Sequence, residues 1–372
     1  MRFLHTADWQ IGMKAAHAGE QAQRVRDARL ASARRVMEVA EREDAPFLLV
    51  AGDTFEDSAV DRKLVEEVAQ ILESGARRVY ILPGNHDPLM PGSVWEHRVW
   101  KSLRHVTLLQ DATPISVEGG VLFPAPLTAK HGKQNPVTSI DAKRREEICI
   151  GIAHGSLDYV SSDDNHFPMP KTAAIDAGLD YLAIGHWHST LVVESPGASG
   201  VLAYSGTHEP TAFGERDSGN VLLVDIAARG AKPSIKTIKT GELQWHSIEV
   251  TLRGESDLTA LGVRLRALPS PQTTLLECKI AGLLSPQFRS ELAAIMEKCT
   301  SELLLARFDD SQLHAPPEDD SWLEAIPAGI LRTTSEELRR RTTAASAPAA
   351  RESLVAERAL LELFRLLKES QR

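Results

Sequence analysis

The segment that decides the fold is Val79-Tyr80-Ile81-Leu82-Pro83-Gly84-Asn85-His86-Asp87. Its first four residues form a short apolar run that ends at a proline, which is typical of a buried strand. The glycine permits a tight turn, and three polar side chains follow it directly. A buried strand that ends in such a turn predicts a ligand-binding loop at the edge of a sheet.

Four other segments repeat this arrangement of donor side chains after an apolar run. They are Asp8-Trp9-Gln10, Gly52-Asp53-Thr54-Phe55, Ala153-His154-Gly155 and Gly185-His186-Trp187-His188. The apolar runs alternate with helical patterns, such as the spacing between Leu64 and Leu72, which predicts a layered α/β core. Because open α/β sheets present their ligand groups at the carboxyl ends of strands, we expect the five segments to meet.

The donors in these segments are oxygen and nitrogen atoms, without thiolates. This mixture suits Mn²⁺, Fe or Zn²⁺, and its carboxylates favour Mn²⁺. Two divalent ions that share a carboxylate can stabilise both the attacking and the leaving oxygen of phosphoryl transfer. Each segment alone has an ordinary explanation, since a Gly-Asp pair after a strand is usually a turn. Together they predict a two-metal site.

Composition narrows the class of protein. The 372 residues predict two or three domains at roughly 150 residues each. With 25% charged and 42% hydrophobic residues, a disordered, fibrous or disulfide-stapled chain is excluded. The net charge of −9 argues against a protein coated for nucleic acid, although a local basic groove stays open. No run approaches the ~20 apolar residues of a membrane span, so we expect a cytoplasmic protein without membrane contact.

Taken together, the five segments resemble the signature of the calcineurin-like metallophosphoesterases over roughly residues 1–225. The resemblance implies an α/β fold, a β-sandwich flanked by helices, and two divalent metal ions with Mn²⁺ as the expected metal. It assigns the first metal to three residues and the second to three others, with Asp53 bridging the two. The implied ligands are Asp8, Asp53 and His188 for the first metal and Asn85, His154 and His186 for the second.

The resemblance also implies roles for three further residues. Gln10 lies where the family usually has histidine, and its amide oxygen would either ligate the first metal or hydrogen-bond a metal-bound water. His86 would contact the scissile phosphate and aid proton transfer, and Asp87 would orient its ring. The nucleophile would be a hydroxide activated by the two metals.

Three segments are similar to one branch of that family, the SbcD-type exonuclease subunits: residues 1–9, residues 52–57 and the stretch from Tyr204 to Glu215. This likeness implies a DNA exonuclease or endonuclease in repair or defence. It also implies an SMC-like, SbcC-type ATPase partner bound by the C-terminal helices, and a homodimer. Two alternatives stay open: a phosphodiesterase for a small nucleotide or phosphoprotein, and a metal-poor scaffold that binds DNA ends.

The pattern of predicted strands and helices changes near residue 245. We predict a catalytic domain over residues 1–245, a small α/β cap domain of βαβαβ order over 246–312, a linker region over 313–350, and a partner-binding helix over 351–372. The last helix has one apolar face, which would either pack on its own domain or lie in a partner's groove. That face comprises Ala356, Leu360, Leu363, Phe364 and Leu367.

Other polar and aromatic residues have ordinary expectations. His5, in the middle of a predicted strand, is expected to be a hydrogen-bonded core histidine. The arginines of residues 24–35 are expected on a solvated helix face, with phosphate contact as the alternative, and the basic loop 130–133 is a similar candidate. Trp187 is expected to pack, and His208 is a candidate to line the site.

Overall fold

The structure, a computed structural model, describes residues 1–158, 166–194, 200–342 and 347–370. The chain divides into two compact units, Met1–Trp245 and His246–Arg372. The elements of the first unit are β1 (Arg2–Thr6), α1 (Ala22–Arg42), β2 (Phe47–Ala51), α2 (Arg62–Glu73), β3 (Arg78–Leu82), β4 (Val106–Leu108), β5 (Ile115–Val117), β6 (Gly120–Pro124), β7 (Ile148–His154), α3 (Ala173–Asp176), β8 (Tyr181–Gly185), β9 (Leu191–Glu194), β10 (Val201–Tyr204), β11 (Asn220–Asp225) and β12 (Ser234–Lys239).

These strands form two six-stranded sheets. The first has the order β12-β11-β1-β2-β3-β4 and the second the order β5-β6-β7-β8-β10-β9. Strands β1, β2 and β3 are parallel, as are β7, β8 and β10. The carboxyl ends of each parallel set therefore lie at one edge of its sheet.

Apolar layers cover both faces of each sheet. Between the sheets, the Phe3 ring stacks on Phe47 with centroids 5.2 Å apart and meets the edge of Tyr181 at 5.5 Å. Helices α1 and α2 pack on the other face of the first sheet, and α3 packs on that of the second. Burial on both faces explains why the strands read as continuous apolar runs. The predicted β-sandwich flanked by helices is confirmed.

The described residues of the second unit form a smaller sheet and four α-helices. Its sheet has the order β13-β14-β15, and β14 and β15 are parallel. The order of strands and helices is the βαβαβ alternation expected from the sequence. The elements are β13 (Gln244–Leu252), α4 (Glu255–Arg266), β14 (Thr274–Leu283), α5 (Pro286–Glu302), β15 (Leu305–His314), α6 (Ile330–Thr342) and α7 (Ala347–Ser370).

The range 313–350, predicted as a linker, differs from that expectation because it contains α6. Ion pairs one turn apart stabilise this helix, including Arg332 with Glu336 and Glu337 with Arg341. The Thr/Ala/Ser/Pro-rich composition that predicted a linker lies mostly beyond residue 341, after these pairs. Residues 343–346 of the predicted linker and 371–372 of the predicted terminal helix lie outside the described residues.

Helix α7 buries the apolar face that the sequence predicts. Ala356, Leu360 and Phe364 are at most 8% exposed, and the Phe364 ring meets Trp322 edge-on at 5.1 Å. That face packs within the second unit, so it is not the surface for a partner's groove. Among the described residues, no helix is long and apolar enough to cross a membrane.

Candidate active site

The loops after β1, β2 and β3 crowd around Asp53. Asp8, Gln10 and Asp53 all adopt left-handed backbone conformations, with φ of 53°, 47° and 50°. Such conformations are strained and concentrate at functional sites. A Cβ added at Gly84 would lie 2.1 Å from Asp53 Oδ1, so only glycine permits this loop to approach the carboxylate.

Asp53 is 1% exposed and lies at the centre of a polar cluster. Its Oδ1 accepts a hydrogen bond from the His86 backbone N–H at 2.9 Å, and Oδ2 accepts from Gln10 Nε2 at 3.1 Å. His154 Nε2 lies 3.4 Å from Oδ2. Burial is the largest single influence and acts to raise the pKa of Asp53, but the charges and hydrogen bonds of His154 and His86 together outweigh it and lower this pKa. The carboxylate is therefore ionised.

Two imidazoles converge on one amide oxygen beside Asp53. His154 Nε2 lies 2.8 Å from Asn85 Oδ1, and His186 Nδ1 lies 2.9 Å from the same atom. One ligand atom each from Asp53, His154 and His186 lies within 4.8 Å of the others. The structure thus brings together the residues that the resemblance assigns to the second metal.

Contacts in this cluster fit a bound cation. His154 Nδ1 donates to the Ala51 carbonyl at 2.9 Å, so in a neutral ring Nε2 turns a lone pair toward the Asn85 oxygen. Burial is the largest single influence and acts to lower the pKa of His154, yet the charge and hydrogen bond of Asp53 and the charge of Asp8 together raise this pKa to about 9. A bound cation would therefore replace the proton on Nε2. Gln10 Oε1 is buried without a hydrogen-bond partner in the described chain. These donors suit Mn²⁺, Fe or Zn²⁺.

Asp8 and His188, assigned to the first metal, lie outside the group of three. Both carboxylate oxygens of Asp8 accept from the His186 backbone N–H, at 2.9 and 3.0 Å, and burial raises the pKa of Asp8 to about 6. His188 Nδ1 lies 3.0 Å from Glu215 Oε1. Because a carboxylate only accepts there, Nδ1 holds the proton, and in a neutral ring Nε2 carries the lone pair that a metal ion would need. Glu215 thus orients His188, a role that the sequence did not indicate.

His86 is oriented by a backbone carbonyl and not by Asp87, so that prediction is corrected. His86 Nδ1 donates to the Glu56 carbonyl at 2.8 Å, which leaves Nε2 as the available nitrogen. Asp87 is fully buried, and its two oxygens accept from the backbone N–H groups of Gly84 at 2.7 Å and Phe55 at 3.0 Å. The Asp87 carboxylate therefore links the loop after β2 to the loop after β3.

Arg29 departs from the expected solvated helix face. It is 1% exposed and donates to the carbonyls of Trp9 and Glu209 at 2.9 and 2.8 Å. His208 does not line the site either, because its ring stacks on Trp9 and its Nε2 contacts the Arg29 carbonyl. Arg29 thus links the loop of Asp8 to the loop after residue 206 through its buried guanidinium.

Two residues in the loops of the second sheet, Trp187 and His166, have surroundings that the sequence did not predict. Trp187 is 40% exposed, so the prediction that it packs is wrong; its two flanking histidines turn into the site and leave the indole at the surface. No motif in the sequence indicates a role for His166, yet its Nδ1 lies 2.9 Å from His186 Nε2. No local pattern marks a residue whose partner is brought to it by the tertiary fold.

Comparison with known proteins agrees with this geometry. The model of the calcineurin-like phosphoesterase family matches residues 1–190. The chain belongs to this family, whose members hydrolyse phosphoester bonds with divalent metal ions. It is thus a metallophosphoesterase.

Individual relatives are distant. The uncharacterized metallophosphoesterase YhaO of Bacillus subtilis (strain 168) is 23% identical over 274 residues, which cover 70% of this chain and 65% of that protein. The chain therefore spans slightly less than two thirds of this relative. A 5'-nucleotidase precursor from Thermus thermophilus matches with a TM-score of 0.38 and 17% identity over 64% of this chain and 53% of that one. A likeness that weak carries no argument about substrate.

Proposed function

We propose that this protein is a metal-dependent DNA nuclease of the SbcD type, which hydrolyses phosphodiester bonds as the partner of an SMC-like ATPase. The observation that carries the choice of nucleic acid is the exposure of Trp187 between His186 and His188. An exposed indole next to two metal ligands offers a stacking surface for a base beside the scissile phosphate, and such stacking contributes about 1–3 kcal/mol per base. A phosphoprotein has no base to place there.

The basic loop 130–133 supports a polymer over a single nucleotide. Gly132 forms a β-bridge with His166, and the Phe167 N–H donates to the Gly132 carbonyl at 2.8 Å, so the loop is tied to a neighbour of His186. Lys130 and Lys133 are exposed, and neither is ion-paired with another residue of the described chain. These charges are placed to contact phosphates beyond the scissile one.

Metal binding and proton transfer would be carried out by different residues, and contacts within the protein already orient their side chains. Two divalent ions, when bound, would activate water and neutralise charge on the phosphate. Asp53, His154, His186 and Asn85 would hold the second ion, and Asp8, Asp53 and His188 the first. His86 presents Nε2, since its Nδ1 is committed to Glu56. From that nitrogen it would bind a phosphate oxygen or donate a proton to the leaving oxygen.

Exposed apolar residues on the terminal helices support the ATPase partner. Leu354, Val355 and Leu366 of α7 are 48%, 61% and 47% exposed, and Ile330 and Leu331 of α6 are 86% and 52% exposed. Neighbouring exposed apolar side chains on a helix, such as Leu354 and Val355, can dock against another helix. Replacing Leu354 and Val355 by arginine should abolish capture of the organism's SMC-like ATPase and leave hydrolysis of a small diester unchanged. Retained capture would contradict this partner surface.

The substrate is tested with end-labelled double- and single-stranded DNA in Mn²⁺, Mg²⁺ or chelator, beside the His86→Ala variant. We expect metal-dependent shortening that the variant lacks, and weaker cleavage by Trp187→Ala than by Trp187→Phe, which keeps an aromatic face. Cleavage of a small diester but not of DNA would favour the small-substrate alternative. Loss of both activities, with well under two ions per chain, would favour the metal-poor scaffold.

A further inference from the structure

His166 is not among the expected metal ligands, but it contacts one of them. Its Nδ1 lies 2.9 Å from His186 Nε2, with the ring centroids 4.9 Å apart and the planes at 82°. The other nitrogen of His186, Nδ1, lies 2.9 Å from Asn85 Oδ1, on the side of the ring that faces the cluster around Asp53. One nitrogen of His186 therefore faces the metal ligands and the other faces His166.

The two nitrogens of His186 cannot act alike. A neutral imidazole has one N–H and one lone pair, so ligation through Nδ1 requires the proton to be on Nε2. A histidine that ligates a metal almost always donates its remaining N–H to a nearby acceptor, which fixes the tautomer and the ring orientation. Because His166 Nδ1 is at hydrogen-bond distance from His186 Nε2, it can be this acceptor when its own proton is on Nε2.

The backbone around His166 holds it in place for this contact. Its carbonyl accepts from the Ser156 N–H at 2.9 Å, two residues beyond the ligand His154, and its strand bridge to Gly132 fastens it on the other side. His186 itself has a left-handed backbone with φ of 105°. A strained residue of this kind needs contacts on its side chain to keep one orientation, and Asn85 and His166 supply them from opposite ends of the ring.

We propose that His166 is a positioning residue of the metal centre: its Nδ1 accepts the hydrogen bond from His186 Nε2–H and so keeps His186 Nδ1 as the metal-binding atom. Its role is to set the affinity for the second metal, and it takes no part in bond cleavage. The inference rests on the metal centre of the proposed function and is independent of whether the substrate is DNA.

The test compares two substitutions of similar size. In His166→Asn, the amide oxygen stands close to where Nδ1 was and can accept the hydrogen bond, whereas His166→Leu has no acceptor. Mn²⁺ binding to chelator-treated protein is measured by calorimetry and by the electron paramagnetic resonance signal of free Mn²⁺. We expect His166→Leu to lose about 10–100-fold in affinity at one of the two sites, and His166→Asn to recover most of it.

A control variant separates loss of the His186 contact from the general effect of replacing a histidine. His105→Ala removes a histidine that precedes β4 and lies outside the group of Asp53, His154 and His186, and it should bind Mn²⁺ as the wild type does. Wild-type affinity in His166→Leu would overturn the inference, and so would equal losses in the Leu and Asn variants, which would assign the effect to packing. A wild-type chain that binds none of Mn²⁺, Zn²⁺ and Fe²⁺ would overturn the proposed function as well.

Discussion

The two sheets of the first unit contribute different chemistry to the same centre. The first supplies carboxylate and amide groups from Asp8, Asp53 and Asn85, in loops whose backbones are partly left-handed. The second supplies imidazoles, and His154 among them is the last residue of a regular strand. The oxygen atoms of the cluster, from two carboxylates and one amide, thus come from one sheet, and its imidazole nitrogens come from the other. Neither sheet alone offers a metal site.

The contact between Asp53 and His154 joins the loops of the two sheets. These residues lie 3.4 Å apart across the sandwich, and each shifts the pKa of the other toward its charged form despite burial. Such a pair is held together by opposite charges until a cation supplies the positive charge instead. The comparison predicts that removing the Asp53 carboxylate should reduce metal affinity and hydrolysis more than removing a residue that is not a metal ligand.

The largest effect is expected from Asp53→Ala. This change removes the group that contacts Gln10, His86 and His154, and leaves His154 without its counter-charge. We expect a loss of metal affinity greater than the ~100-fold typical of residues that only support a ligand, and hydrolysis at the background rate. Metal content by mass spectrometry and turnover of a small diester measure both. Asp57→Ala, an exposed carboxylate nearby, is the control; a full metal complement in Asp53→Ala would refute the central position of Asp53.

His86→Ala should separate chemistry from metal binding. The His86 ring contacts the Glu56 carbonyl and is not in the donor group, so the variant should keep its metals. Loss of proton transfer or phosphate contact at Nε2 should lower kcat about 10²–10⁴-fold. The same two measurements apply, with His105→Ala as the control. Equal metal loss in His86→Ala and Asp53→Ala would mean that the division of roles is wrong.

His5 tests the interior between the two sheets. The expectation of a core histidine is confirmed: His5 is fully buried on β1, and its Nδ1 lies 2.9 Å from Tyr181 Oη on β8. Burial lowers the pKa of His5 to about 3, so between pH 6.5 and 3 the unfolded chain binds a proton that the folded chain does not. The contribution of His5 to stability therefore falls as the pH decreases through this window, by about 2 kcal/mol from pH 7 to pH 5.

Urea unfolding at pH 7 and pH 5, both in chelator, measures this dependence. His5→Gln should lose about 2 kcal/mol less than the wild type over the same interval. His131→Gln removes an exposed imidazole and should keep the wild-type dependence. If His5→Gln and the wild type lose equal stability, His5 does not titrate as its burial requires.

The sequence predicted those parts of the site that local pattern determines. Asp53 and Asn85 each follow a short apolar run, and the strand ends place them without knowledge of the partner sheet. The structure adds what depends on distant contacts. Asp87 braces Gly84 and Phe55 through its carboxylate, and His166 reaches His186 through the fold of two loops. Such pairings have no periodicity along the chain, so no pattern in the sequence could indicate them.

Arg29 and α6, which lie outside the site, also could not be predicted from local sequence patterns. The spacing of arginines along α1 predicts a solvated face, but Arg29 is buried because the carbonyls of Trp9 and Glu209 meet at its guanidinium. In α6, composition predicted a linker, whereas the charge pairs one turn apart favour a helix. Composition and periodicity describe one element at a time, and these outcomes depend on which groups face each other.

The smallest expected effect, Gln10→His, asks whether the first sheet contributes a ligand at the position where the family usually has histidine. Gln10 is 3% exposed, and its Nε2 donates to Asp53 while Oε1 has no partner in the described chain. Histidine tolerates the left-handed backbone at this position and is a stronger donor than an amide oxygen. We expect Mn²⁺ to bind about tenfold more tightly at one site, or about 1.4 kcal/mol. Gln10→Leu, which lacks any donor, should bind it more weakly. Unchanged affinity in both variants would mean that Gln10 only hydrogen-bonds Asp53, and the oxygen side of the centre would then consist of Asp8, Asp53 and Asn85 alone.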